Sequence, residues 1–232
     1  MANEPKIPRD IFIIDEAVRK EYYYIGPHDT CLYVWERMSH LWREGERQDY
    51  SQYPVNNLIS NLQIPVSCRT SNAKRYYWKG KAISYAAAAL GKLIPPVLRQ
   101  EGVVFVPVPP SKMETDPDYD PRIIDTLRAM RPRLADIRQL VVLTGEGFDS
   151  KQKGLRPEHR ARYYSVDEDL ADPEPETIVL FDDILTTGCH YKAMEIVLKE
   201  RFPTVDIIGL FLARTVRPTD ELDDLIAFFN LQ

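Results

Sequence analysis

The stretch TIVLFDDILTTGCHYKAM, residues 177–194, carries the strongest structural signal in this chain. It begins with a run of aliphatic and aromatic residues that predicts a buried strand, and two adjacent acids, Asp182 and Asp183, follow at once. A short turn rich in hydroxyl groups comes next, and the amphipathic segment after the turn predicts a helix. Strand, turn and helix in this order are typical of the carboxyl edge of a parallel sheet.

Strands and helices continue to alternate on both sides of this stretch. The predicted elements are a helix at 79–94, a strand at 103–110, a helix at 121–130, strands at 139–143 and 177–181, a helix at 191–202, a strand at 205–213 and a helix at 220–229. The strands are continuously apolar rather than alternating, which is typical of a parallel sheet with helices on both faces. The sequence therefore predicts an α/β fold.

The first 75 residues have a different character. Residues 21–42, EYYYIGPHDTCLYVWERMSHLW, are rich in aromatic side chains, and we interpret them as having little strand character. We therefore expect a mainly helical N-terminal cap or extension over residues 1–75 and an α/β domain over residues 76–232. The cap is a candidate surface for a protein partner.

The bulk composition narrows the function classes. The chain has 30 Lys and Arg residues against 35 Asp and Glu residues, and this net charge of -5 gives no support for a nucleic-acid partner or an anionic membrane. No apolar run approaches the ~20 residues of a membrane-spanning helix, and the first ten residues lack the apolar core of a signal peptide. We expect a cytoplasmic protein with no membrane association. Cys31, Cys68 and Cys189 are far apart, so we expect reduced thiols rather than disulfides or a zinc site.

The acids and the turn together predict a binding site for a phosphorylated sugar. Backbone N–H groups from Ile184 to Gly188, with the hydroxyls of Thr186 and Thr187, form an anion cradle at a helix N-terminus, and Gly188 has no side chain to block phosphate oxygens. Carboxylates repel phosphate, so Asp182 and Asp183 must face sugar hydroxyls, a divalent metal or both. The structural alternative is that the aspartates only cap the following helix.

The segment VLFDDILTTG resembles the 5-phosphoribosyl 1-pyrophosphate (PRPP) signature of type I phosphoribosyltransferases. The resemblance implies that fold for the α/β domain, with Asp182 and Asp183 on the ribose hydroxyls and in indirect contact with a Mg²⁺ cofactor. It also implies that the turn Ile184, Leu185, Thr186, Thr187 and Gly188 holds the 5′-phosphate. His190 stands where many members have a hydroxyl residue, so it either donates to the phosphate or faces outward.

Two further segments resemble parts of the same superfamily. FVPVPPSK, residues 105–112, is similar to the pyrophosphate-binding loop, which implies that Pro109, Pro110, Ser111 and Lys112 bind pyrophosphate and that Lys112 assists catalysis. The basic stretch 150–166 resembles a motif of the ComF-like, competence-associated subgroup through Gln152, Gly154, Leu155 and Arg160. We expect it to close over pyrophosphate with Lys153 and Arg156, although a solvated basic loop is the alternative.

Three features depart from the ComF-like pattern or stand outside it. The N-terminal zinc-binding cysteine pairs of that subgroup are absent, and residues 116–125, DPDYDPRIID, replace its R-G-F-N segment. We interpret the aspartates of that segment as a flexible acidic loop rather than a calcium site. The cluster Tyr76, Tyr77 and Trp78, with basic neighbours, suits either core packing, which we favour, or stacking on single-stranded nucleic acid.

The sequence leaves two functions open. The first is a phosphoribosyltransferase that moves ribose-5-phosphate from PRPP to an unidentified acceptor and releases pyrophosphate. The second keeps the fold without the catalysis: a sensor of PRPP or of a phosphoribosyl nucleotide, or a component of a multi-gene system for DNA uptake or defence that contacts a protein or nucleic acid. The acceptor is not readable from the sequence.

Overall fold

The computed structural model describes residues 4–39, 53–144 and 156–216, together with the backbone of 42–43 and 46–47. The strands are β1 (Phe12–Ile13), β2 (Thr30–Met38), β3 (Trp42–Arg43), β4 (Glu46–Arg47), β5 (Val103–Pro107), β6 (Val141–Leu143), β7 (Tyr164–Val166), β8 (Thr177–Leu185) and β9 (Asp206–Val216). The α-helices are α1 (Glu16–Arg19), α2 (Pro54–Leu62), α3 (Cys68–Ser71), α4 (Ala73–Leu93), α5 (Arg122–Ala129), α6 (Pro157–Ala161) and α7 (Cys189–Arg201). The chain is therefore α/β, as predicted.

The main sheet has five strands in the order β1-β2-β9-β8-β5. The strands β2, β9, β8 and β5 run parallel, and only the short edge strand β1 is antiparallel. In the centre of the sheet, Phe181 of β8 lies opposite Pro107 of β5 and Leu210 of β9. The sheet is thus mixed but mostly parallel, and all the parallel strands end at the same edge.

Both faces of the sheet are buried, which explains why its strands are continuously apolar. Ile178 and Leu180 of β8 belong to the core cluster that includes side chains of α7. Val179 and Phe181 point to the opposite face and belong to the cluster that includes side chains of α2, α4 and α5. Helices therefore cover both faces, as the sequence predicts.

The low strand character assigned to residues 21–42 was wrong, and the described part of residues 1–75 contains strands as well as the helices α1, α2 and α3. The strand β2 spans Thr30–Met38 and pairs in parallel with β9 from Thr30↔Ile208 to Met38↔Val216. Its residues 31–35 are all buried, so the aromatic-rich run is a strand with both faces covered. The predicted domain boundary at residue 75 falls inside α4.

A second correction concerns the region between β5 and β8. The predicted strand at 139–143 is observed as β6, but it pairs antiparallel with β7 in a separate two-stranded sheet. The stretch 150–166, predicted as a loop, contains α6 and β7. Its residues 150–155 and the predicted closing helix at 220–229 lie outside the described residues.

The remaining predicted elements are observed as α4, β5, α5, β8, α7 and β9. The three cysteines are free thiols, and Cys31 and Cys68 are buried. Across the described ranges, no helix has the length and apolar character needed to span a membrane.

Candidate functional site

The candidate site lies at the carboxyl edge of the sheet, where β5 and β8 end side by side. The backbone N–H of Val108, directly after β5, donates to the carbonyl of Phe181 at 2.9 Å and holds the proline-rich loop against β8. A pocket of about 600 Å³, the large pocket, opens here. Its walls include Gln63, Pro110, Lys112, Arg122, Thr186 and His190, together with the two acids. The structure thus brings the acidic pair and the proline-rich loop together.

The two acids lie within β8 and not after it. Pairing with β9 continues to Leu185↔Arg214, so the predicted turn from Ile184 begins two residues later, at Thr186. Successive side chains of a strand point to opposite faces, and this separates the environments of the two carboxylates. Asp182 also lines a second pocket of about 240 Å³, the small pocket, over the turn that precedes α7, whereas Asp183 lines the large pocket and not the small one.

Asp183 is held by side chains from two other elements. Its Oδ2 accepts from Nε of Arg122 at 2.9 Å and from Nε2 of Gln63 at 3.0 Å. Burial pushes the pKa of Asp183 upward, but Arg122 and Gln63 outweigh burial and hold this pKa below its ordinary value. Asp183 is therefore an ionised carboxylate with one oxygen already occupied.

The ion pair continues into a buried cluster that sequence reasoning missed. Nη1 of Arg122 lies 3.0 Å from Oδ2 of Asp120, and Nζ of Lys79 lies 2.8 Å from the same oxygen. Lys79 is only 2% exposed, and it also donates to the carbonyls of Leu62 and Ile64 at 2.6 and 2.9 Å. Burial lowers the pKa of Lys79, and Asp120 opposes that change. Asp120 therefore has a structural role that the flexible-acidic-loop interpretation did not anticipate.

Asp182 has the opposite electrostatic environment. Its Oδ1 accepts from the backbone N–H of Asp183 at 2.8 Å, and its Oδ2 lies 3.8 Å from Nδ1 of His190. Burial raises the pKa of Asp182, His190 opposes this increase, and the charge of Asp183 adds to it. The adjacent acids are therefore asymmetric: one is favoured as the anion and the other is biased toward its protonated form.

The turn from Thr186 to Gly188 forms the floor of the small pocket. The carbonyl of Thr187 accepts from the N–H of Tyr24 at 3.0 Å, which ties the turn to the N-terminal region. Within the described chain, the N–H groups of Thr187 and Gly188 donate to no carbonyl. Arg160 also lines this pocket. In the described chain, backbone N–H groups that donate to no carbonyl, at the start of a 13-residue helix and with Arg160 lining the same pocket, suit a bound anion.

Gly188 is required for a reason that differs from the one the sequence suggested. Its φ is +83°, a conformation that favours glycine, and an added Cβ would lie 2.6 Å from Cδ1 of Ile25. The Cβ direction therefore faces a packed side chain. His190 lines both pockets and is 43% exposed, so its ring stands beside Asp182 at the mouth of the site.

The predicted pyrophosphate-binding residues are only partly brought to the pocket. Pro109, Pro110, Ser111 and Lys112 line it, and Nζ of Lys112 lies 3.3 Å from Oδ2 of Asp116. Arg156 is exposed at the start of α6 and lies outside the walls of both pockets. Lys153 lies outside the described residues.

The acids fit magnesium only as minor ligands. Carboxylate oxygens are ligands that Mg²⁺ prefers, but one oxygen of Asp183 is engaged by Arg122 and Gln63. Among the residues that the structure describes, no group of three or more His, Cys, Asp or Glu side chains is arranged to hold a metal ion. The site therefore suits an ion that is held mainly by the oxygens of a bound ligand and by water.

Comparison of the chain with protein-family models gave no match, and comparison with curated proteins gave none either. Arg122 and Gln63 were not foreseen because they lie far from the acids in sequence. The weak signal for Arg122 was its position at the start of the predicted helix at 121–130, directly after the aspartate-rich segment.

Proposed function

We propose that the protein binds PRPP with Mg²⁺ across the large and small pockets, which share Asp182, and transfers its ribose-5-phosphate group to an acceptor, releasing pyrophosphate. One observation carries the proposal: two loops suited to anions follow the neighbouring parallel strands β5 and β8, with a buried pair of acids between them. A ligand with phosphate at both ends and hydroxyls in the middle matches this order of groups.

Each part of the site has a role in this proposal. Thr186 to Gly188 hold the 5′-phosphate with their amides and hydroxyls. Asp182 accepts hydrogen bonds from the ribose hydroxyls, and Asp183, fixed by Arg122, contributes its remaining oxygen and negative potential. Lys112, which lines the large pocket from the loop after β5, stabilises the pyrophosphate.

Transfer breaks the bond between the anomeric carbon and a pyrophosphate oxygen, and the electron pair leaves with pyrophosphate. The acceptor then forms the new bond to the anomeric carbon and gives up its proton. Positive charge develops on the ribose ring in between, close to the two carboxylates. Bound Mg²⁺ supplies neutralisation of the leaving group. The protein positions the reactants and limits access of water.

Calorimetric titration with PRPP in the presence of Mg²⁺ tests this proposal. Asp182→Asn is expected to weaken binding at least about tenfold, because it removes a charge-assisted acceptor for the sugar hydroxyls. The matched control is Asp169→Asn, which changes an exposed aspartate in the 3-10 turn at Glu168–Leu170. If wild type and Asp182→Asn bound PRPP with equal affinity, the assignment of Asp182 and Asp183 to the ribose hydroxyls would be wrong.

One observation favours the second candidate, a phosphoribosyl-ligand sensor without turnover. Asp183 is committed to an ion pair with Arg122 and to a hydrogen bond from Gln63, which fixes one of the two acids before any ligand binds. A pyrophosphate-release assay with PRPP, Mg²⁺ and pooled nucleobase acceptors separates the two candidates. Release supports the transferase, whereas tight PRPP binding without release supports the sensor.

A further inference from the structure

The N-terminal half of α4 exposes aromatic side chains that the large pocket does not use. Tyr77 is 56% exposed and Trp78 is 48% exposed, so the favoured interpretation of core packing was wrong for both. The physical reason is Lys79, which occupies the inward position instead, because the carbonyls of Leu62 and Ile64 and the carboxylate of Asp120 satisfy its ammonium group. The neighbouring aromatic rings are thereby turned to solvent.

Exposed cations surround these rings. Nζ of Lys81 lies 5.4 Å from the centroid of the Tyr77 ring, within cation–π distance. The Tyr77 and Trp78 rings have centroids 5.5 Å apart and an interplanar angle of 75°. We call the whole surface the aromatic–basic platform; it consists of Arg69, Lys74, Arg75, Tyr77, Trp78 and Lys81, all of which are exposed.

Charge is segregated along the chain in a way that the net value hides. Residues 50–100 contain seven of the 30 Lys and Arg residues and none of the 35 Asp and Glu residues. The rest of the chain therefore holds 23 basic residues against 35 acidic ones. An acidic protein thus presents a locally positive surface, and that surface contains the exposed aromatic rings.

The cations of the platform are not neutralised by neighbouring acids. Of the four, namely Arg69, Lys74, Arg75 and Lys81, none lies within 4.0 Å of a described carboxylate oxygen. This differs from Lys79, which is fully engaged with Asp120 on the buried face of the same helix. The platform therefore has charge available for a polyanion.

The platform and the wall of the large pocket are adjacent in sequence. Ser67 lines that pocket, and Arg69, two residues later in α3, belongs to the platform.

We propose that the aromatic–basic platform binds single-stranded nucleic acid, with bases stacked on Tyr77 and Trp78 and phosphates paired with the flanking cations. Stacking needs unpaired bases, because a duplex encloses the faces of its bases. Anionic lipid is the less suitable polyanion, since a membrane-bound helix presents a broad apolar face, whereas this surface has cations on both sides of two aromatic rings. The proposal is independent of PRPP binding.

Fluorescence anisotropy with a labelled oligothymidylate of about 20 nucleotides tests it. Tyr77→Ala with Trp78→Ala is expected to weaken binding about tenfold or more, because two stacking positions are lost. Lys74→Glu with Lys81→Glu is expected to reduce the slope of log affinity against log salt by about 1.4, which corresponds to two phosphate contacts on a single strand. The wild-type slope is expected to be about -3.

The matched control is Lys20→Glu with Arg133→Glu, which makes the same charge change at exposed positions outside the platform. Urea unfolding of every variant verifies that the fold is kept. The proposal is overturned if the platform variants bind the oligonucleotide as tightly as wild type does. It is also overturned if wild type binds the corresponding duplex as tightly as the single strand. Platform-dependent binding to phosphatidylserine vesicles without binding to the oligonucleotide also overturns it and assigns the surface to lipid.

Discussion

The two sides of β8 hold adjacent acids in opposite ways. On the α7 side, Asp182 faces His190 and the open turn from Thr186 to Gly188, all within nine residues of the chain. On the other side, Asp183 is engaged by Arg122 of α5 and Gln63 after α2, elements distant in sequence. On the α7 side, the groups come from one short segment and leave room for a ligand to contact Asp182. On the other side, the side chains of distant elements already bind Asp183 without a ligand. Substitutions on each side should therefore act differently, on ligand binding or on stability.

The largest effect is expected from Arg122→Ala. It leaves the carboxylates of Asp183 and Asp120 without their shared cation, and removal of one member of a buried ion pair costs about 3 kcal/mol or more in free energy of unfolding. Urea denaturation measures this loss. Arg201→Ala is the comparison, because it removes an arginine paired with Glu168 and Glu174 at the surface and should matter much less. If Arg122→Ala and Arg201→Ala lost equal free energy of unfolding, the ion pairs around Asp183 would contribute no more to stability than a surface pair.

A smaller loss is expected from Gly188→Ala on the other side of β8. A positive φ costs a non-glycine residue about 1 to 2 kcal/mol, and the new Cβ would meet Ile25. Gly80→Ala is the matched control, since an added Cβ there has no atom within 4 Å and alanine favours the helix, so no loss is expected.

Combination with Ile25→Ala separates the two reasons for glycine at position 188. Alanine lacks both the Cδ1 and the Cγ1 atom that the new Cβ would meet at 2.6 and 2.8 Å, so the loss in the double variant should be less than the sum of the two single losses. Strict additivity in urea denaturation would mean that the backbone conformation alone, and not the contact with Ile25, requires glycine.

The sequence predicted the parts of the fold that depend on neighbouring residues. The strand, turn and helix from Thr177 to Arg201 follow from local periodicity, and the convergence of β5 and β8 follows from their parallel pairing. It did not predict β2, because an aromatic run such as residues 31–35 satisfies either a buried strand or a helix until its pairing partner β9 is known.

The cluster of Lys79, Asp120 and Arg122 was missed for the same reason, namely that its contacts join segments distant in sequence. Lys79 looked like one cation among exposed neighbours, and only the carbonyls of Leu62 and Ile64, brought near by the turn after α2, reveal a buried ammonium group. Asp120 and Arg122 belong to this cluster for the same tertiary reason. Local motifs therefore indicated where the candidate site lies, whereas the residues that hold the motif in place could be recognised only in the folded chain.

The smallest expected differences in free energy of unfolding, of the order of 1 kcal/mol, are those that depend on pH. The folded-state pKa of Asp183 is lowered, so its contribution to stability is present above the unfolded pKa of about 4 and is lost as pH falls further. The folded-state pKa of Asp182 is raised, so stability is lost as pH rises from about 4 through that raised value.

The two asparagine variants should consequently diverge as pH increases from about 4 to about 7. Asp183→Asn should be less stable than wild type by a nearly constant amount over this range, because Asp183 is already ionised and paired with Arg122, and the deficit should shrink only as pH falls below about 4. Asp182→Asn gains relative to wild type over the same range, because it avoids a buried charge beside Asp183. Urea denaturation of both variants and wild type across this range measures the difference. If the free energies of unfolding of the two variants changed in parallel with pH, Asp182 and Asp183 would have the same electrostatic environment. The asymmetry assigned to the site would then be wrong.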